Sequence, residues 1–594
     1  MKRLGHKTLV THVVMGMIAL AAAALCNEPA SASAGIETQR YGDVEAWADE
    51  APTHALLYHG YAEIRVHIIN RSAAKTHDVR IVFPADSSRS RYGQQIQRVS
   101  RSVQVAPGAT MSVAMYLPPM RSYDNGIAVE VDGHRGEERL NFTSPMEGRE
   151  VYYYSSARQV PIMVSRSVPE SFREQMASAN LAPFRNELAT TQWSDNWLAY
   201  SCYSGVIMTE KDAAELPDAA RLALRRYVEC GGVLVIQGAS APTEFTDPAG
   251  TSGTAVSRLG LGSVRLTGLR NDEKGWGALL PQLGTIPFGA FDISSVPENN
   301  PLVLGNPKVP VHGIFLAILI FAVCIGPVNI MLLGRFNKRM LLWWNVPAVS
   351  LATCLVIFLY ATFSEGWSGR ARFSSLTLLD ETAHRATTVG YMSFYSPTTP
   401  RDGLQLSDQT EITPLWEDQS RYGRPDNVSC TMDWTNGQHL DSGWIAARSP
   451  AYFSFRKNED RRERLGLRID NGRIMAANQF GVPIRRLYYC DDKWQVHEAS
   501  DIAPGTEARL SQTVTLRPRP TDDATPARMQ GLRPADWLRT IADLRDGKTD
   551  YLSPGCYIAI CGRSPFVENA LAGSLDDGSV GIVFGVNRSL GDGR

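Results

Sequence analysis

GIFLAILIFAVCIGPVNIMLLG (residues 313–334), RFNKR (335–339) and MLLWWNVPAVSLATCLVIFLYATF (340–363) follow one another directly in the chain. Neither apolar run contains Asp, Glu, Lys or Arg over more than twenty residues. As a helix, each is long enough to cross about 30 Å of hydrocarbon. The five residues between them allow only a tight turn, and Arg335, Lys338 and Arg339 mark that turn as cytoplasmic by the positive-inside rule. The reading is a transmembrane hairpin over 313–363, with both flanking segments on the opposite face of the membrane. Pro327 and Pro347 lie equally far from the turn, as do Asn329 and Asn345. Antiparallel helices would bring each pair to one depth, which predicts an Asn329–Asn345 hydrogen bond worth ~0.6–2 kcal/mol. Trp343 and Trp344 fit interfacial anchors.

The amino terminus agrees with export. Lys2, Arg3 and Lys7 precede an apolar stretch from about Val13 to Leu25, and Ala30–Ala34 offers small-residue cleavage sites. Residues 1–34 therefore read as a secretory signal, with an uncleaved anchor or lipidation at Cys26 as the alternatives. With 60 Lys+Arg against 61 Asp+Glu in 594 residues, the chain gives no electrostatic case for nucleic acid. The length predicts three or four folding units.

Before the hairpin, residues 35–150 read as an immunoglobulin-like β-sandwich. Val79, Ile81 and Phe83 alternate within His77–Pro84, and Thr110–Leu117 and Ile127–Val131 add further strands with turn residues between them. Residues 151–305 change character. Val160–Val164, Gly205–Met208 and Val233–Ile236 are apolar runs of the type buried on both faces of a parallel sheet. A helix is expected from Pro169 toward Ala179, and another from Asp218 to Val228, between Pro217 and Gly231-Gly232. Strands alternating with helices predict a doubly wound α/β unit. After the hairpin, residues 370–594 read as a β-rich domain, with Asn471-Gly472 as a hairpin turn and a minor helix over Pro534–Leu544. The expected class is multidomain: α/β plus all-β, with membrane helices.

Two stretches carry a resemblance. Tyr200-Ser-Cys-Tyr-Ser-Gly-Val-Ile-Met208, with Val228-Glu-Cys-Gly-Gly-Val-Leu-Val-Ile236, resembles class I glutamine amidotransferase-like domains. Gly326–Arg335 followed by Leu342-Trp-Trp-Asn-Val-Pro347 is similar to uncharacterised bacterial membrane proteins that place a transmembrane hairpin after such a domain; Phe480–Tyr488 is similar to their C-terminal segments. The resemblance implies an architecture and a location at the inner membrane, without an activity.

The chemistry expected of an active amidotransferase-like site is missing. Where active members carry a nucleophilic cysteine after a buried strand, this chain has Gln237-Gly238-Ala239-Ser240-Ala241-Pro242. Ser240 could mimic a nucleophile elbow, but Thr243–Gly253 is not a helix, and no histidine occurs between His134 and His312. Cys202 and Cys230 read as structural, either bonded to each other or separately buried. Cys430, Cys490, Cys556 and Cys561 form another even set on an exported segment, where disulfides persist. His384, His439 and His497 show no metal spacing, and Asp380, Glu381, Glu459 and Asp460 read as solvated surface groups. No catalytic residue, cofactor or metal ligand is therefore assigned. The expectation is an integral membrane protein of the envelope with exported binding or scaffold domains. The alternatives are an accessory subunit of a transporter or export complex, and a periplasmic amidase or hydrolase.

Overall fold

The protein is described by a computed structural model covering residues 38–51, 59–84, 95–118, 126–141, 160–168, 181–246, 256–268, 311–328, 330–331, 335, 342–365, 368–415, 429–516, 543–549, 552–576 and 578–586. The expectations placed on the signal segment with Cys26, the helix from Pro169, Asn329, Lys338 and the start of the helix from Pro534 lie outside these residues. What is described is strand-rich, in five sheets.

The parallel sheet forms where the apolar runs predict it. Its order is Leu181–Asn186, Val160–Ser165, Gly205–Thr209, Val233–Gln237, Gly262–Thr267 and Val256–Leu259. The first five strands are parallel and the last is antiparallel. Two helices follow the central strand: α1, Glu210–Glu215, and α2, Asp218–Glu229. Ala220, Ala223, Leu224, Tyr227 and Val228 recur at helical spacing and form the buried stripe of α2. Pro217 opens this helix, and Gly231 ends it at φ +106, where a side chain would be strained. The Tyr227 hydroxyl donates to the Tyr203 carbonyl (2.8 Å), fixing the helix to the segment before the third strand.

The N-terminal segment supplies a four-stranded antiparallel sheet, Gln39–Tyr41, Val44–Ala48, Ala62–Asn70 and Thr110–Leu117. It also gives three long strands of a second sheet: Gln95–Val105, His77–Pro84 and Gly126–Val131. That second sheet is completed from the far side of the apolar helices. Ser429–Asp433 pairs in parallel with Gln95–Val105, and Gln438–Leu440 and Leu404–Leu406 extend it. Ser100 Oγ donates to Asp433 (3.0 Å), and the Ser102 amide donates to Thr435 Oγ1 (2.9 Å), so side chains reinforce the seam. The sandwich read over 35–150 thus shares a continuous sheet with the segment read as a separate unit over 370–594. The physical reason is edge protection: Gln95–Val105 would otherwise offer a row of unpaired backbone groups.

The rest of the C-terminal segment builds chiefly one ten-stranded sheet. Its path begins Thr410–Pro414, Ala451–Asp460, Arg385–Tyr395, Arg370–Asp380, Val580–Val586 and Cys556–Cys561. It continues through Ile484–Cys490 and Gln495–Ile502 to Ser511–Thr515. A small sheet of Leu465–Asp470, Arg473–Asn478 and Glu507–Arg509 flanks it. Asn471 and Gly472 are both at positive φ, as their tight hairpin turn requires.

Between the two halves of the chain lie α3, Val311–Val323, which runs into a π-turn at Cys324–Val328 around Pro327, and α4, Leu342–Glu365. Among the described residues, only α4 is long and apolar enough by itself to cross a membrane, through Trp343–Tyr360. Gly313 lets the helices approach: a Cβ there would meet the Tyr360 hydroxyl at 2.1 Å.

Candidate functional site

In open parallel sheets a ligand crevice opens at the carboxyl ends of the strands, where the strand order reverses. Here that point lies between Val160–Ser165 and Gly205–Thr209. Polar groups converge on it but satisfy one another. Asp212, 2% exposed, accepts from Ser165 Oγ (2.5 Å), Ser167 Oγ (2.7 Å), Thr209 Oγ1 (2.8 Å) and the Thr209 amide (3.0 Å). Burial pushes its carboxyl pKa up, yet these bonds to the charged form outweigh burial and hold it below the usual value. With Thr209 it closes a capping box on α1. The crevice is occupied by the protein's own carboxylate.

Ser240 lies on the exposed loop after Val233–Gln237. Its hydroxyl donates to Glu210, and the Ala239 amide donates to the other Glu210 oxygen (2.9 Å). Gly238 permits this approach, since a Cβ would strike the Glu210 side chain. The Ser240 hydroxyl and the backbone amides lower the Glu210 pKa, which makes it a weak base toward a serine proton. The chain continues into a short 3-10 turn, Thr243–Phe245, and not the helix that an elbow uses.

The amino ends of the same strands are welded to the rest of the molecule. Arg456, from the strand Ala451–Asp460, donates to the carbonyls of Cys230 (3.2 Å) and Ser201 (3.3 Å) and pairs with Glu411 (2.5 Å). Its guanidinium lies over the Trp197 ring, 5.8 Å from the centroid. Burial raises the Glu411 carboxyl above its ordinary value, and Arg456 offsets part of that. Glu229, at the end of α2, receives Arg385 (2.9 Å) and Asn458 (2.8 Å) from the large sheet. The Trp197 indole donates to the Gln409 carbonyl (2.9 Å). From the N-terminal segment, the Tyr61 amide donates to Ser201 Oγ (2.7 Å). The Tyr61 hydroxyl reaches Gln438 (2.7 Å), whose amide nitrogen turns to the Thr410 carbonyl (2.7 Å). Three segments distant in sequence meet here around buried polar groups.

An open cleft lies beside this junction, with a volume of about 50 Å³. Asp49, Glu50, Glu63 and Arg65 line it from the N-terminal sheet, facing Phe184, Trp193, Ser194, Tyr200 and Tyr203. Glu63 accepts from Arg65 (3.3 Å) and Ser194 (3.2 Å), while Arg65 donates to the Gln192 carbonyl (2.6 Å). Asp49 spends one oxygen on His67 (3.0 Å); its other oxygen and the Trp193 indole N–H are buried without a partner. Burial, then Glu187 and Asp49, raise the Glu50 carboxyl, and burial raises Glu63. Neither of these two atoms is open to solvent, so the cleft itself presents aromatic walls and the Glu63–Arg65–Ser194 bonds.

Cys202 and Cys230 are separate buried thiols and not a disulfide; burial raises both pKa values. Two groups read as solvated are not. Glu381 accepts from the Tyr557 hydroxyl (2.6 Å) and the Leu465 amide (2.9 Å), and Glu459 pairs with Lys457 (3.0 Å) and Arg461 (2.6 Å). Asp460 is exposed but bonded to Arg226 (2.9 Å). Among the described residues no cluster of His, Cys, Asp and Glu could hold a metal ion.

No family model matches this chain, and no curated protein matches it. Among solved structures it is similar to a Paenibacillus cycloisomaltooligosaccharide glucanotransferase complexed with cycloisomaltoheptaose, at 12% identity and a TM-score of 0.10. That match covers 27% of this chain and 20% of the other, a fifth of its length. So slight an overlap says nothing about fold or activity.

Proposed function

We propose that this protein is a membrane-anchored envelope protein whose two extracytoplasmic segments form a single binding scaffold, held by a transmembrane hairpin and without a reaction centre of its own. One observation carries the reading. Segments before and after the apolar helices share a sheet through Gln95–Val105 and Ser429–Asp433, and meet again at Arg456 and Ser201. One folded body cannot lie on two sides of a bilayer, so the chain between them crosses an even number of times. The helices are apolar around their whole circumference, with Trp343 87%, Leu351 74% and Phe315 67% exposed. So much contiguous apolar surface is unstable in water and suits hydrocarbon. Arg335, Lys338 and Arg339 favour a cytoplasmic turn.

The resemblance to amidotransferase-like membrane proteins is consistent with the strand order of the parallel sheet, and we assign the unit to that architecture in a degenerate form. Support for binding over catalysis comes from the Asp212-filled crevice and from Ser240 resting on a carboxylate with lowered pKa. The cleft at Asp49 and Trp193 is the candidate contact point for a partner.

A Lys338→Cys variant, probed in intact cells with a maleimide that cannot cross membranes, is expected to label only after permeabilisation. A Ser511→Cys variant on an exposed strand is expected to label at once. Prompt labelling at 338 would reverse the orientation. Purification in mild detergent, with Asp49→Asn/Trp193→Phe as the comparison, then asks whether a co-purifying protein depends on the cleft.

A further inference from the structure

Six of the cysteines lie outside both the signal segment and the apolar helices, and sequence spacing alone leaves their pairing open. Strand register narrows it. Ile484–Cys490 and Cys556–Cys561 are antiparallel neighbours, with Tyr488 opposite Ile558 and Tyr489 opposite Tyr557. The register ends at that last pair, and Cys490 and Cys556 stand one residue beyond it on each strand, where the turn before Cys556 begins. The turn Ser553–Cys556 holds the second cysteine in place: its amide donates to the Ser553 carbonyl (3.0 Å), and the Gly555 amide, at φ +76, donates to the Cys490 carbonyl (2.9 Å). Side chains alternate across a strand, so Cys490 and Cys556 share a face with Tyr488, Ile558 and Ile560 in one apolar cluster. Cys561 points to the opposite face with Tyr489, Tyr557 and Ala559. Cys430 belongs to a third cluster on another sheet.

We infer that Cys490 and Cys556 are joined by a disulfide when the protein matures outside the cytoplasm. Facing residues on neighbouring antiparallel strands have Cα atoms about 4.5–5.5 Å apart and a disulfide bridges up to about 6.8 Å, which leaves room for the offset at this step. In this structure both are free thiols, with the Cys490 thiol against the Asp491 carbonyl (3.7 Å) and the Cys556 thiol against Ser553 Oγ (4.0 Å), so forming the bond requires both side chains to leave those partners. In the reaction, one thiolate attacks the disulfide of a thiol oxidant of the compartment, and its partner thiolate then displaces the oxidant sulfur. The S–S bond forms, two protons leave the cysteines, and two electrons reduce the oxidant to its dithiol. The bond would close the chain from 490 to 556 across the strands Gln495–Ile502 and Ser511–Thr515. This inference rests on the export reading, and the test separates the two.

Protein made in its exporting cell is trapped with a maleimide under denaturing conditions, digested without reduction and analysed by mass spectrometry. The expected result is a linked peptide holding Cys490 and Cys556, two hydrogens lighter than the separate peptides, with Cys202, Cys230, Cys430 and Cys561 alkylated. The same protein, reduced and then equilibrated as a full chain in detergent with a glutathione redox buffer, is expected to regain that bond. Linkage in the buffer but not in the cell would sink the export reading while leaving the pairing intact. Absence of the link in both, or a bond from either cysteine to Cys561 or Cys430, would overturn the pairing.

Discussion

His59 sits fully buried beside Arg456, and its Nδ1 has no hydrogen-bond partner. Burial first, and the Arg456 charge second, push its pKa down to about 3. The folded protein thus refuses a proton that the unfolded chain accepts near pH 6.5. The sign follows: His59 costs nothing above that pH, and stability falls as the pH drops from about 6.5 toward 3, by at most about 1.4 kcal/mol per unit. The raised carboxyls of Glu63 and Glu411 act in the opposite sense, since folding favours their protonated forms as the pH falls. Denaturant midpoints measured from pH 8 to 4 are therefore expected to fall less steeply in His59→Gln than in the parent. Identical slopes would remove His59 from the account. At the same junction, Arg456→Met strands Glu411 in the interior and is expected to cost about 3–5 kcal/mol. Adding Glu411→Leu should recover much of that loss, so the double variant should unfold at higher denaturant than Arg456→Met alone.

Element contacts explain why some glycines resist change. Gly60 has φ +68, and a Cβ there would lie 2.1 Å from the Ser201 carbonyl oxygen. Gly108 has a similar φ of +66 but open space around it. Alanine at 108 is expected to cost about 1–2 kcal/mol from backbone strain alone. At 60 it should cost a further ~1–3 kcal/mol, because the loop must leave the parallel sheet's amino end. Equal losses in thermal melts would mean that the Gly60–Ser201 contact adds nothing to the cost. Period-two and apolar patterns located most strands, including His77–Pro84, Thr110–Leu117 and Val233–Gln237. They do not mark Leu181–Asn186, which Pro183 interrupts, or the polar second half of Ala451–Asp460. The run Arg456-Lys457-Asn458 looks solvated in sequence, yet these residues are 5%, 3% and 0% exposed. Their partners Glu411, Glu568 and Glu229 lie between 45 and 229 residues away, which no local pattern encodes.

For the whole molecule, the shared sheet makes the exported parts interdependent. A fragment of residues 35–150 would expose the edge of Gln95–Val105 and leave Tyr61 without Ser201 and Gln438. Expressed alone, it is expected to lack a cooperative thermal transition and dispersed amide resonances. Well-dispersed spectra would show that the sandwich needs neither neighbour. The long sequence separation of these contacts also implies slow folding, because a large loop must close before any contact forms.

Local chemistry was written plainly in the chain: two uncharged runs around a basic turn, apolar strands of the parallel type, and turn residues at the hairpins. These are short-range properties of side-chain solvation and backbone freedom, and they survive being read one window at a time. The Asp49–Trp193 cleft, the Asp212-filled crevice, the Arg456 junction and the cluster shared by Cys490 and Cys556 came only from tertiary structure. Each depends on which distant groups lose their water together, and that energy is set by neighbours in space.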